Sequence, residues 1–159
     1  FFFEGYGNHR DLHRVDRRQR QMCIRDRDLL PGTRYTVTEA LLALHRSFLK
    51  PVTALMAQVP VHGMAHITGG GFVDNIPRVL PENCTAVINR SSWRVPTLFT
   101  FIERQGRVDR DEMYRVFNMG IGMVAVAAPE NAEQVRAAIP EETWIIGELA
   151  KGERITRLQ

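Results

Sequence analysis

Three consecutive glycines, Gly69-Gly70-Gly71, interrupt the stretch MAHITGGGFVDNIPRVLP at residues 64–81. Glycine weakens helices and strands alike, because its backbone loses the most freedom on folding. A triplet therefore marks a turn, and its flanks decide what kind. HGMAHIT (62–68) is short and reads as a strand. GFVDNIPRV (71–79) reads as a short helix, although Pro77 lies inside it. Open N–H groups at a helix start carry partial positive charge and suit an anion. Glycines let a phosphate approach such a backbone, and Thr68 adds a hydroxyl. A tight turn at positive φ, or close strand–helix packing, requires glycine equally well. The residues alone leave both readings open.

The neighbours bear on this choice. Asn75 and Arg78 follow on the helix, and Arg78 is placed to reach an anion held by the loop. His66 adjoins the loop as a hydrogen-bonding residue. His62 and His66 are four apart, but on a strand that spacing is about 13 Å, too far for one metal ion. The triplet is no P-loop, since the closing Gly-Lys-Ser/Thr is absent. A second pattern, Asn118-Met119-Gly120-Ile121-Gly122, mimics a dinucleotide fingerprint. It follows a helix and opens a strand, the reverse of the nucleotide-binding arrangement. It reads as a sharp turn with the Asn118 amide at its mouth and Gly120 close to another surface. Asp109, Asp111 and Glu112 fit either a Mg²⁺ site or a helix start. Ser91 and Ser92 have no neighbouring histidine.

The other elements follow from pattern. Thr36-Val-Thr-Glu39 is a capping box, and helical spacing continues over about 37–59, with Pro51 as a kink or new start. TAVIN (85–89) reads as a strand, and Pro96 to Gly106 as a helix. A short helix runs to Phe117, and GMVAVAA (122–128) is a buried strand. A helix covers 129–139. TWIIGEL (143–149) and RITRL (154–158) are strands separated by Lys151-Gly152. Mixed alternation of this kind predicts an α+β fold, a mixed sheet with helices on its faces.

Charge separates the chain into two parts. Residues 1–27 hold seven arginines against four acids, the whole of the net charge of +3. Residues 28–159 carry equal numbers of each sign, so no nucleic-acid partner is implied. HRDLHRVDRRQRQMCIRDR has no periodicity and the composition of a solvated segment. VDRRQRQMCIRDR resembles a translated sequencing adapter. Residues 1–27 are therefore expected to be a non-native or disordered leader before one domain, 28–159. That domain starts inside the approach to a helix, so part of it is expected to be missing. No apolar run reaches the roughly 18 residues of a membrane span. Cys23 and Cys84 have no metal or disulfide spacing, which points to a reducing, cytoplasmic compartment.

MAHITGGGFVDNIPRVLP, together with EMYRVFNMGIGMVAV downstream and LLALHRSFLKPVTALM upstream, resembles the phosphoribosylformylglycinamidine cyclo-ligase family, the aminoimidazole ribonucleotide synthetases. The likeness covers most of 41–159. The family's Leu-Leu-x-Pro-Thr-Arg/Lys-x-Tyr is matched here only in part: Arg46 is kept, while Leu44, His45 and Phe48 stand at the Pro, Thr and Tyr positions. The resemblance implies a C-terminal domain alone, a three-layer α/β/α sandwich whose glycine loop faces an interdomain cleft. Thr68, Gly69, Gly70, Gly71, Phe72, Asn75, Arg78, His66, Asn118 and Gly120 are its implied substrate or phosphate contacts. The family closes an imidazole ring: ATP activates the amide oxygen of a ribonucleotide, and a nitrogen then attacks the activated carbon. ATP and Mg²⁺ would be held by a missing N-terminal domain, in a homodimeric parent, with none bound by this chain alone. The alternative is a non-catalytic ligand-binding or interaction domain of the same superfamily.

Overall fold

The structure, a computed structural model, describes residues 2–4 and 27–159. Apart from those first three residues and Arg27, the leader expected over 1–27 lies outside the described residues. Strand β1 (Phe2–Glu4) runs antiparallel to β4 (Ile121–Val126), and β2 (Gly63–His66) pairs antiparallel with the other edge of β4. A second three-stranded sheet has β3 (Cys84–Ile88) at its centre, antiparallel to β5 (Gly147–Lys151) and parallel to β6 (Thr156–Leu158). The expected mixed sheet is thus divided into two, and the last two strands flank β3 without pairing to each other.

The side-chain period of two in β2 and β4 builds the layers. Met64, Met123 and Ala125 face helix α2 (Leu49–Gln58) and helix α6 (Ala132–Ala138), and pack with Leu55, Val59, Val135 and Ile139. Ala65 and Val124 face the other way, into the main core, which Ile121 joins from the first position of β4, where the ladder to β1 is irregular. There they meet Phe72, Ile76, Met113, Tyr114 and the inner residues of β3, Ala86 and Ile88. Helices α3 (Gly71–Asn75), α4 (Thr97–Gly106) and α5 (Arg110–Val116) close that side.

Helix α1 (Val37–Leu41) begins on the predicted capping box. The Glu39 N–H donates to Thr36 Oγ1 at 3.2 Å, and the Thr36 N–H to Glu39 Oε2 at 2.8 Å. The helical spacing does not carry through to α2, because residues 42–48 leave the helix. Leu42 and Leu44 are largely exposed, so continuing the helix would bury nothing on their side. The connection is held instead by buried Phe48 and by an ion pair of 2.6 Å between Arg46 and Glu141. Pro51 sits in the first turn of α2, where its missing N–H costs little. Pro77 ends α3 and opens a 3₁₀ turn, Pro77–Val79. Among the described residues no helix is long and apolar enough to cross a membrane.

Candidate functional site

The glycine triplet links β2 to α3 at one end of the first sheet. Its three members have different reasons to be glycine. Gly71 has φ +54°, and a Cβ on it would overlap the backbone carbonyl of Tyr114 in α5. Its absent side chain is what lets α3 lie against α5. Gly70 has φ +93°, and its Cβ would fall 2.7 Å from the Asp74 side chain. Gly69 has neither constraint: its φ is ordinary, and nothing lies within 4 Å of where its Cβ would be. Packing explains two glycines and leaves the third facing open space.

The loop is held from within. Asn75, buried, donates from Nδ2 to the carbonyls of Gly71 at 2.8 Å, Gly69 at 3.2 Å and Thr68 at 3.4 Å. The Gly71 N–H closes a turn onto Thr68 O at 3.0 Å, and the Asp74 N–H bonds Gly70 O at 3.1 Å. The N–H groups of Gly69, Gly70, Phe72 and Val73 have no acceptor among the described residues. Thr68 is exposed beside them. The exposed Asp74 carboxylate borders the same loop, so a bare anion there meets some repulsion.

The predicted site residues separate accordingly. Thr68 and Gly69 are exposed, beside N–H groups that have no acceptor among the described residues. Asn75 is a brace, with its amide nitrogen committed to the loop. The Phe72 side chain is fully buried, stacked on Trp93 at 5.6 Å between ring centroids and beside Tyr114 at 5.8 Å, so only its backbone reaches the loop. His66 is exposed and stacks on His45, with centroids 5.7 Å apart and planes within 4°. Phe48 meets both rings edge-on. Burial first, and then the nearby His45, lower the His66 pKa from its ordinary value. Arg78 is exposed and lines a pocket to which no residue of the glycine loop contributes. It follows the far end of α3.

Asn118 and Gly120 form a structural turn next to the loop. The Ile67 N–H donates to Gly122 O, which ties the end of β2 to the start of β4. Asn118 Oδ1 accepts the Gly120 N–H at 3.0 Å. Gly120 has φ +99°, and a Cβ on it would lie 2.5 Å from Pro96. Met119 is buried at φ 50°, and its carbonyl accepts Trp93 Nε1–H at 3.0 Å. The indole bond was invisible in sequence, since 26 residues separate its partners. The acidic cluster resolves as a helix start: Asp109 Oδ1 accepts the N–H groups of Asp111 and Glu112, and Asp111 pairs with Arg90 at 2.6 Å.

The family model "AIR synthase related protein, C-terminal domain" matches residues 13–158. The chain belongs to this AIR synthase related family. Its match begins inside the basic segment, at residue 13. A phosphoribosylformylglycinamidine cyclo-ligase of Chromobacterium violaceum is 54% identical over 106 residues, which cover 67% of this chain and 31% of the relative. The enzyme of the same name from Desulfotalea psychrophila is 41% identical over 152 residues, covering 87% of this chain and 43% of that one. The chain therefore spans well under half the length of these relatives. Among solved structures, the hydrogenase maturation protein HypE of E. coli aligns with a TM-score of 0.52 at 23% identity. That alignment covers 77% of this chain and 41% of HypE, and it supports the α+β fold of the AIR synthase related domain.

Proposed function

We propose that this chain is the C-terminal domain of a phosphoribosylformylglycinamidine cyclo-ligase, which closes the imidazole ring of a formylglycinamidine ribonucleotide with ATP. In this reading Gly69 and the open N–H groups around it receive a phosphate of the ribonucleotide or of the nucleotide. The observation that carries it is Gly69 itself: a glycine with no conformational or packing reason, on a loop held rigid by Asn75. Identities of 41–54% to proteins of that name support the substrate class.

The roles of the chain's own residues follow from the geometry. Asn75 ties the carbonyls of Thr68, Gly69 and Gly71 to one side chain, which leaves the unpaired N–H groups of the loop available to an anion. Thr68 adds a hydroxyl donor. Asp74 suits a ligand that brings hydroxyls or a phosphate-bound cation, since a carboxylate accepts from the first and attracts the second. ATP and Mg²⁺ would supply activation of the amide oxygen, held mainly by an upstream domain of the same polypeptide. The parent is proposed to be a cytoplasmic homodimer, and this chain alone to be inactive.

Gly69→Val in the full-length protein tests the reading. An open position with ordinary φ tolerates the side chain, so the melting temperature stays unchanged. If a phosphate sits there, KM for the ribonucleotide or for ATP rises about ten-fold or more, the loss of one charge-assisted hydrogen bond. Unchanged KM values for both would leave the loop a turn only.

A further inference from the structure

Arg78 lies in a pocket of 460 Å³ that it shares with Arg154 and His62, over a floor that includes Leu80, Val126 and Leu149. Arg154 comes from the turn between β5 and β6. Its Nε donates to Pro77 O at 2.7 Å, which holds its guanidinium against the backbone next to Arg78. No carboxylate lines this pocket, and neither arginine is in an ion pair among the described residues. His62, Val126 and Leu149 also line a neighbouring cavity of 820 Å³ walled by residues of both sheets, so the two spaces adjoin along these side chains. That larger space is walled mainly by apolar residues such as Ile76, Ile88 and Ile146, with Glu148 at its own border.

Arg78 and Arg154 are exposed arginines lining one pocket with no carboxylate in its wall, so an anion entering it is attracted by both. The planar fork of each matches carboxylate or phosphate oxygens. An apolar chamber behind a basic mouth favours a ligand with one anionic group and an apolar body. We propose that Arg78 and Arg154 form a second binding site for a small organic anion, a phosphate monoester or carboxylate carrying an apolar ring or chain. The anionic group sits against the guanidiniums, and the body enters the adjoining cavity. The site lies past the C-terminal end of α3, away from the glycine loop, and does not depend on what that loop binds.

The test is titration of the ¹⁵N-labelled 159-residue chain with phenyl phosphate, benzoate, inorganic phosphate and phenol, following amide shifts. Phenyl phosphate or benzoate should move the amides of Val79, Cys84 and Leu149, and the tighter of the two names the anionic group. Inorganic phosphate and phenol should each bind at least about ten-fold more weakly, since each lacks one half of the ligand. Arg78→Gln and Arg154→Gln should each weaken binding about ten-fold. Arg78 makes no side-chain hydrogen bond or ion pair among the described residues, so Arg78→Gln is decisive if Arg154→Gln loosens the turn. Shifts confined to Gly69–Val73, inorganic phosphate binding as tightly as phenyl phosphate, or indifference to Arg78→Gln would each overturn the proposal.

Discussion

The backbone carbonyl of Tyr114 occupies the place where a side chain on Gly71 would begin. Forty-three positions apart in sequence, the two residues set how closely the loop helix α3 approaches α5. The contact makes Gly71 a packing residue, in contrast to Gly69 two positions earlier.

Gly71→Ala should therefore be severe. Positive φ costs a non-glycine residue about 1–2 kcal/mol, and the overlap adds about 1–3 kcal/mol of strain. Urea unfolding should show an unfolding free energy lowered by a total of roughly 3 kcal/mol, or no folded protein. Gly69→Ala should stay within about 0.5 kcal/mol of the parent. Equal effects at the two positions would contradict the division of the triplet.

Asn75→Ala removes the brace, taking the amide donor from the buried Gly71 carbonyl and from Gly69 O, while Thr68 O keeps the Gly71 N–H. The expected cost is about 1–3 kcal/mol. Hydrogen exchange should accelerate at Gly71 and Asp74, whose N–H groups close the loop, before it changes in β3. Uniform acceleration across both sheets would mean that Asn75 supports the whole core and not the loop.

Asp74→Asn should tighten anion binding at the loop. A carboxylate a few ångströms from a phosphate repels it by about 1 kcal/mol or more near the surface. Phosphate affinity at low ionic strength should rise several-fold, and the gain should shrink in salt. If the loop's ligand arrives with a bound cation instead, Asp74→Asn weakens it, and titration with and without Mg²⁺ separates the two.

The stacked pair His45–His66 predicts a pH dependence. The His66 pKa is lowered in the folded state, so the unfolded chain binds that proton more readily. Its neutral form then contributes stability that is present above the unfolded value of about 6.5 and lost as pH falls through the lower folded value. The melting temperature should drop between about pH 7.5 and 5.5, and His66→Gln should reduce that drop. An identical drop in both proteins would remove His66 as its source.

Local chemistry was legible in the sequence wherever cause and effect lie within a turn of chain. The Thr36–Glu39 box, the Asp109 cap and the glycine turn at 69–71 are of this kind. Arg78 was not: the pocket it lines is completed by Arg154, 76 residues later in the chain. Helical spacing misled over 42–48, because Leu42 and Leu44 fit the pattern but have nothing to pack against. Family resemblance supplied the layered sandwich, while the division into two sheets depends on long-range pairing that periodicity does not encode.

His66 lies opposite Met123, and Ala65 opposite Val124, in the β2–β4 ladder. A slip of one residue would turn Met64 and Ala65 toward each other's cores and draw the glycine loop away from the Asn118–Gly120 turn. The size difference between those two side chains thus acts as a ruler for a site neither of them touches. Exchanging them, a change that preserves composition and hydrophobicity, would misplace the loop by about one strand step of 3.4 Å.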